Sequence, residues 1–336
     1  MFRSIGSETV MHRNFEAAYD YASAAVQRGV DGERLIALVL GPPRSGKTEV
    51  SNLLIEDFAA AEGDGARSVP LIRIVTPVRP TKKTMAEAIV GALDARNYGR
   101  LTADQLTVRV KFLLKAVGTR VILFDEVQHI VERNLPKSWY EVADWLKTLS
   151  DELNITLVLF GLPSARQMID VNSQLRDRSD PAYLLYPYNW NHQEDVGEFC
   201  RCLLAAGQSL SDQQWAVPDF AEMDVVRRFY AASGGRYGMV VKLLDTAMYL
   251  GRRTKNLSAE VLYEAYQQSI CTTDERPNPF DASTHLTDSL LVQYYVALLN
   301  ESGMRVVSDK KNNAGMRTGR AAALNQACLT SQWAGH

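Results

Sequence analysis

The sequence predicts an α/β domain built on a parallel sheet, followed by a small all-helical domain. Up to about residue 190, short apolar runs typical of buried strands alternate with segments of helical period, as in βαβ units. From about residue 192 onward, every apolar pattern has helical period, with glycines at the breaks. The predicted divisions are an N-terminal helical segment (1–34), the α/β core (35–190), the helical domain (191–271) and a linker, helix and tail (272–336).

Five strands are predicted in the core. The first, LIALVL (35–40), is short, apolar and uninterrupted, as a strand covered on both faces would be. The others are predicted at 68–77, 119–127, 154–163 and 182–188. Helices are predicted at 11–28, 46–60, 85–97, 103–117 and 138–153, then at 192–207, 218–234, 237–253, 258–270 and 288–301.

The composition limits the classes of function. Hydrophobic residues make up 46% and charged residues 23% of the chain, so a sizeable core can form. With 37 basic and 39 acidic side chains, no global field draws the protein onto nucleic acid, and DNA binding would need a local basic surface. The four cysteines lack metal-ligand spacing and predict free thiols in a reducing cytoplasm. No signal peptide or run of about 18 apolar residues is present, so no membrane is expected.

The loop GPPRSGKT (41–48) predicts a nucleotide site. It matches G-x-x-x-x-G-K-[ST] in full and lies between a predicted strand and a predicted helix, a context that argues against a chance glycine-rich turn. Its backbone N–H groups would surround a phosphate at the helix N-terminus, Lys47 would reach the β- and γ-phosphates, and the Thr48 hydroxyl would bind Mg²⁺. The predicted ATP-binding residues are Gly41, Pro42, Pro43, Arg44, Ser45, Gly46, Lys47, Thr48 and Glu49.

The stretch VILFDE (121–126) is the predicted second half of this site. Asp125 would hold Mg²⁺ through water, and Glu126 would orient and deprotonate the attacking water. Alone, an apolar run that ends in Asp-Glu is weak evidence, because many strands end in a solvated carboxylate. Together with the upstream phosphate loop, it predicts a crevice at the carboxyl ends of parallel strands.

Two further segments contain candidate catalytic groups. The strand at 154–163 has Phe160 and Gly161 at its tip, so a group that senses the γ-phosphate is either Ser164 or missing. The turn QLRDRSDP (174–181) supplies Arg178 as the first and Arg176 as the second candidate for stabilising charge at a neighbouring subunit's nucleotide. The alternative is a pair of surface arginines on a charged turn.

The order of these motifs resembles an AAA+ ATPase: a P-loop NTPase core with a parallel sheet, followed by a helical lid domain. The finer resemblance is to the TniB/TnsC family of transposition ATPases, over roughly residues 10–280. The segments on which it rests are GPPRSGKT, LFDEVQHI (123–130), LVLFGLP (157–163), QLRDR (174–178), SGGRYGMVVKLLDTA (233–247) and NPF (278–280).

The resemblance implies a mechanism and partners. It implies a bacterial, cytoplasmic protein that binds ATP, assembles with itself into rings or helical filaments on duplex DNA, recruits a transposase and meets a TniQ-type target selector. Hydrolysis, expected to be slow and regulatory, would disassemble the filament. Some members of the family serve CRISPR-guided transposons, and the sequence leaves open whether this protein is one of them. One departure concerns the lid, where Gly238 falls near the position of the usual arginine and Arg236 falls two residues early. A lid sensor is therefore absent or displaced.

Two clusters are candidates for sequence-independent DNA contacts. The segment TPVRPTKKT (76–84) contains Arg79, Lys82 and Lys83, each of which could meet a phosphate. A helical stripe places Thr107, Lys111 and Lys115 at positions i, i+4 and i+8. A solvated charged surface is the alternative for both. The polar tail, which contains Arg317 and Arg320, is predicted to be disordered.

Two other functions are compatible with the sequence. One is an AAA+ replication initiator or helicase loader, which would share the core but not the partners. The other is an ATP-dependent signalling switch that never touches DNA. Assembly with an ATP analogue and duplex DNA separates the DNA-binding functions from the switch.

Overall fold

The computed structural model describes residues 11–58, 62–63, 66–94, 100–132, 136–271 and 276–305. The chain divides into two compact units, which are considered separately. The α/β unit is Asn14–Leu185, and the helical unit comprises Met1–Arg13 and Tyr186–His336. Cys328 and the two tail arginines singled out in the sequence lie outside the described residues.

The α/β unit is built on a five-stranded parallel sheet. The strands in chain order are β1 (Ile36–Leu40), β2 (Glu62–Gly63), β3 (Ala66–Arg67), β4 (Leu71–Val75), β5 (Val121–Asp125), β6 (Thr156–Gly161) and β7 (Tyr183–Leu184). The sheet order is β4-β5-β6-β1-β7, so β1 lies between β6 and β7. All five predicted strands are confirmed, although β7 has only two residues. The antiparallel pair of β2 and β3 was not predicted, because two-residue strands show no periodicity.

Eight helices are described in or at the start of this unit. They are α1 (Arg13–Val30), α2 (Lys47–Asp57), α3 (Lys82–Leu93), α4 (Ala103–Ala116), α5 (His129–Glu132), α6 (Pro136–Leu153), α7 (Arg166–Asp170) and α8 (Ser173–Arg176). Helix α3 begins three residues earlier than predicted, because Thr81 and Thr84 form a capping box in which each hydroxyl accepts the other's backbone N–H. Helices α5, α7 and α8 were not predicted and are short.

Alternating residues of the strands supply two apolar layers. In β1, Ile36, Leu38 and Leu40 join the layer that contains buried residues of α3, α4 and α6, whereas Ala37 and Val39 join the layer that contains buried residues of α1 and α2. This alternation follows from the period of two along a strand, and it explains why β1 is apolar throughout. Helix α1, predicted as part of a separate N-terminal segment, therefore packs on the sheet.

The described residues of the helical unit form five α-helices, all at predicted positions. They are α9 (Gln193–Asp212), α10 (Met223–Ser233), α11 (Tyr237–Leu250), α12 (Ala259–Ser269) and α13 (Asp288–Glu301). Their core includes the rings of Trp190, Phe199 and Tyr230, with Tyr230 centred 4.7 Å from Trp190 and 5.3 Å from Phe199. Cys200 and Cys202 are buried free thiols, as predicted. None of the described helices is both long and apolar enough to cross a membrane.

Candidate nucleotide-binding site

The loop between β1 and α2 ends at the N-terminus of α2. Gly46 is the N-cap residue of α2 and no side chain caps this terminus. The first N–H groups of a helix have no partner inside it and lie at the positive end of its dipole, which suits a phosphate. Arg44 and Gly46 adopt left-handed backbone angles (φ 62° and 99°), so the loop turns sharply before α2 begins.

The side chain of Lys47 lies against this loop. It is 7% exposed, and its Nζ donates to the carbonyl oxygens of Gly41 (2.9 Å) and Pro42 (2.7 Å). The Oγ of Ser45 is 3.4 Å from the same Nζ. The Lys47 ammonium, which the motif predicts to bind the phosphates, is therefore held at the loop. This loop lies at the carboxyl end of β1, a strand inside the sheet.

Asp125 ends β5 at the same edge of the sheet. Its side chain is 3% exposed, and its Oδ1 accepts the backbone N–H of Glu126 at 2.9 Å. Its Oδ2 accepts a hydrogen bond from Arg73 of β4 at 2.6 Å, while the same guanidinium donates to Asn52 of α2 at 2.8 Å. Arg73 therefore joins the helix that follows the phosphate loop to the predicted metal carboxylate.

Sequence reasoning missed Arg73 and Asn52. The one available signal was an arginine inside the otherwise apolar strand LIRIV. Its partners could not be predicted, because they depend on the strand order that brings β4 beside β5.

Replacing Arg73 with methionine is expected to destabilise the α/β unit by about 2 kcal/mol. The variant leaves the Asp125 carboxylate buried without its cation, and breaking a fully buried pair costs about 3–5 kcal/mol. The lower figure reflects the partly exposed Arg73, at 24%. Denaturant unfolding measures the difference. Arg120→Met at an exposed position is the matched control, with an expected change within about 0.5 kcal/mol. Equal stabilities of the two variants would contradict the prediction.

Glu126 follows directly and its side chain is half-buried. It has a left-handed backbone (φ 58°), which is uncommon for a residue other than glycine. Gln128 donates a hydrogen bond from Nε2 to the Glu126 carboxylate. The half-buried ring of His129 places Nδ1 3.2 Å from the carbonyl oxygen of Thr76.

The other predicted catalytic groups lie elsewhere or are engaged. Ser164 donates its hydroxyl hydrogen bond to Glu132 at 2.9 Å. Arg178 pairs with Asp151, and its carbonyl oxygen accepts the N–H of Ile36 at the amino end of β1, which is the opposite edge of the sheet. Arg176 is exposed at the end of α8. Of the two arginines, the second candidate is thus the more accessible to another subunit.

The two predicted DNA clusters differ in accessibility. Arg79 is exposed in the loop before α3, Lys82 is exposed in the first turn of that helix, and Lys83 lies 3.8 Å from Glu87. In the other cluster, the Thr107 hydroxyl donates to the Ala103 carbonyl oxygen (2.8 Å) and accepts from the Trp145 indole (3.0 Å). Lys111 pairs with Glu152, and Lys115 is exposed. The first cluster therefore offers more accessible charge.

In the helical unit, Arg236 is the N-cap residue of α11, and Gly238 lies in the first turn of that helix. The Nε of Arg236 donates to the Ser233 carbonyl oxygen at 3.0 Å. Burial lowers the pKa of Arg236 to about 10. The guanidinium is therefore a charged group held inside this unit.

Comparison with known proteins identifies the fold and the family. A family model described as bacterial TniB protein matches residues 7–189, more than half of the chain. No curated protein matches. The ORC1 protein of Aeropyrum pernix, solved in complex with DNA, is 15% identical with a TM-score of 0.58, covering 97% of this chain and 94% of that one.

Two more solved structures are similar. The ORC2 protein of Aeropyrum pernix in its ADPNP–ADP complexes is 14% identical with a TM-score of 0.54, covering 94% of this chain and 85% of that one. Cdc6p of Pyrobaculum aerophilum is 12% identical with a TM-score of 0.54, covering 94% of this chain and 94% of that one. Together with the family match, these likenesses confirm the predicted fold class, an AAA+ P-loop core followed by a helical domain.

Proposed function

Because the chain belongs to the TniB family of AAA+ ATPases, we propose that it regulates DNA transposition as an ATP-dependent oligomer on duplex DNA. The observation that best supports this proposal is the junction between the nucleotide site and the basic segment. The backbone N–H of Thr76, where that segment begins, donates to the carbonyl oxygen of Asp125 at 2.9 Å. Arg79, Lys82 and Lys83 therefore follow within one short loop of the predicted metal carboxylate.

ATP and Mg²⁺ are the proposed ligands of the site. Asp125 offers carboxylate oxygens, and Thr48, an exposed residue in the first turn of α2, offers a hydroxyl; these are the hard oxygen donors that Mg²⁺ prefers. A carboxylate has about four lone-pair sites. The bonds from Glu126 and Arg73 use two of them, so Asp125 still suits an ion held through water. When bound, Mg²⁺ neutralises charge on the β- and γ-phosphates.

Glu126 is the proposed general base. Its carboxylate takes a proton from water while the water oxygen bonds to the γ-phosphorus and the bond to the ADP oxygen breaks, giving ADP and phosphate. Lys47 binds the phosphate oxygens. Arg176, or Arg178 after release from Asp151, stabilises the transferring phosphoryl group from a neighbouring subunit. Hydrolysis is thereby linked to assembly.

The start of α3 is the proposed DNA surface. Two lysines at a helix N-terminus add positive charge to the positive end of the helix dipole, which is unfavourable for the free protein and favourable for a bound phosphate. The similar ORC1 structure, which was solved in complex with DNA, agrees with a DNA-binding use of this fold. Such contacts read the backbone and are independent of sequence.

The remaining partners follow from the family. We propose that the DNA-bound oligomer recruits a transposase, meets a TniQ-type target selector and disassembles on hydrolysis. The alternative, a replication initiator or helicase loader, shares the core but not these partners. Direct binding assays with the transposase and with the TniQ-type protein separate the two functions.

Sedimentation with duplex DNA and a non-hydrolysable ATP analogue tests the proposal. We expect large complexes when both ligands are present and smaller species when either is omitted. Monomers that remain unchanged with both ligands would eliminate assembly on DNA.

Reversing the three charges Arg79→Glu, Lys82→Glu and Lys83→Glu is expected to weaken DNA binding at least tenfold. Each phosphate contact contributes about 0.9 to the slope of log K against log salt, so the slope should fall by up to about 3. A salt titration of fluorescence anisotropy measures both quantities. Its matched control reverses Arg120, Arg252 and Arg253, which are exposed elsewhere. If both triple variants lose affinity equally, the effect is one of net charge and the assigned surface is wrong.

A further inference from the structure

Gln128 is a buried polar residue between the ends of β5 and β6. It is 4% exposed. Its Nε2 donates to the Glu126 carboxylate, and its Oε1 accepts the backbone N–H of Leu162 at 3.1 Å. A backbone N–H requires an acceptor, so the bond from Leu162 fixes which end of the amide is oxygen and directs the NH₂ group at Glu126.

The same peptide group also contacts the phosphate loop. The N–H of Leu162 and the carbonyl oxygen of Gly161 belong to one peptide unit, and that oxygen accepts the N–H of Gly41 at 3.1 Å. A continuous chain of hydrogen bonds therefore runs from the first residue of the phosphate loop, through the end of β6, to Gln128 and Glu126. Such chains polarise and order their members.

Gly161 provides the space for the Gln128 amide. A Cβ atom at position 161 would lie 2.8 Å from the Oε1 of Gln128 and 2.8 Å from Cγ2 of Val127, closer than real Cβ contacts. A polar side chain at this tip of β6 is thus incompatible with the observed position of Gln128. The amide of Gln128 occupies the place where such a side chain would begin.

The backbone at Glu126 is held in a costly conformation. A left-handed residue other than glycine costs about 1–3 kcal/mol and persists when its surroundings define it strongly. Here the N–H of Glu126 donates to Asp125 Oδ1, and its carbonyl oxygen accepts the N–H of His129 at 3.1 Å. The main chain is fixed on both sides, so the contact with Gln128 is what restrains the side chain.

We propose that Gln128 is a positioning residue that holds the Glu126 carboxylate in place for water activation and ties it to the phosphate loop through the Gly161–Leu162 peptide group. The proposal rests on the proposed ATP hydrolysis with Glu126 as base. A general base must be held at hydrogen-bond distance from its water, and a loosely held carboxylate loses part of the rate that it provides.

The first test is Gln128→Leu, which keeps the size of the side chain and removes both polar contacts. We expect kcat for ATP hydrolysis to fall about tenfold or more, with KM for ATP and the affinity for an ATP analogue changed less than about threefold. In the Glu126→Gln background, Gln128→Leu should lower kcat no further, because Gln128 acts through Glu126. Gln128→Glu, which keeps the acceptor for Leu162 but repels Glu126, should behave like Gln128→Leu.

A second variant keeps every atom of Gln128. Gly161→Ala pushes the amide out of place, so it should lower kcat as Gln128→Leu does, and the two changes should not add. Gly91→Ala is the matched control, because an added Cβ there meets no atom within 4 Å. Melting temperatures show whether each variant folds.

The outcomes separate this inference from the proposed function. If the wild-type chain binds no ATP, or Glu126→Gln leaves hydrolysis unchanged, the proposed function fails. If Glu126→Gln is inactive but folded Gln128→Leu keeps kcat within twofold or raises it, the positioning role is wrong. A loss that persists at full size in the Glu126→Gln background also overturns it.

Discussion

Lys47→Ala is expected to weaken nucleotide binding strongly and thereby to abolish nucleotide-dependent assembly on DNA. The ammonium is held at the phosphate loop by the carbonyl oxygens of Gly41 and Pro42, so its removal takes the one buried cation of the described loop away from the phosphates. Each hydrogen bond to a charged group contributes about 1.5–3 kcal/mol, so affinity for ATP should fall at least about tenfold to a hundredfold. Isothermal calorimetry with Mg²⁺ and ATP measures the loss.

The control for this variant is Arg44→Asn in the same loop, because residue 44 is expected to bind the phosphates through its backbone N–H and not through its side chain. Arg44 is exposed and left-handed, and asparagine tolerates that conformation, so the control removes a nearby charge without straining the backbone. We expect its affinity for ATP to stay within about threefold of wild type. If folded Lys47→Ala still binds ATP and sediments with DNA, the loop does not hold the phosphates.

Glu126→Gln is expected to reduce kcat for hydrolysis about 10²- to 10⁴-fold, because the water loses its base. The change removes the charge but not the shape, and the new amide oxygen can still accept the hydrogen bond from Gln128. Affinity for ATP and assembly on DNA should therefore persist, and DNA-bound complexes should last longer after ATP is added. Phosphate release and timed sedimentation measure these two effects.

Glu132→Gln serves as the matched control for the loss of a carboxylate. Glu132 accepts the Ser164 hydroxyl and has no assigned part in hydrolysis, so its variant should turn over ATP at nearly the wild-type rate. An unchanged rate in Glu126→Gln would place the general base on another residue.

The strands were predictable because their chemistry is local. A strand covered on both faces must be apolar along most of its length, and LIALVL, VILFD and TLVLFG follow that rule except for Asp125 and Thr156 at strand ends. The short helices α5, α7 and α8 were missed because four or five residues give little helical periodicity. The early start of α3 was marked by Thr81 and Thr84, although threonine replaces the more usual Glu or Gln of a capping box.

The site was predictable only in part, because some of its contacts join segments that are distant in the sequence. The phosphate loop and the two carboxylates are contiguous motifs, so sequence alone places them. Arg73 and Gln128 act across strands, and their partners depend on the sheet order. The pairing of Arg178 with Asp151 is likewise a contact between distant segments, which the turn sequence does not encode.

The hydrogen bond between Thr76 and Asp125 has a mechanical consequence. If hydrolysis at the proposed site shifts the end of β5, the loop that begins at Thr76 is expected to move with it, because this hydrogen bond joins the two directly. A small displacement at the carboxyl end of β5 would then be enough to move Arg79, Lys82 and Lys83 out of line with the evenly spaced phosphates of the DNA backbone. Release from DNA would then need only a mismatch between these side chains and the phosphates, without unfolding or large rotations of the protein.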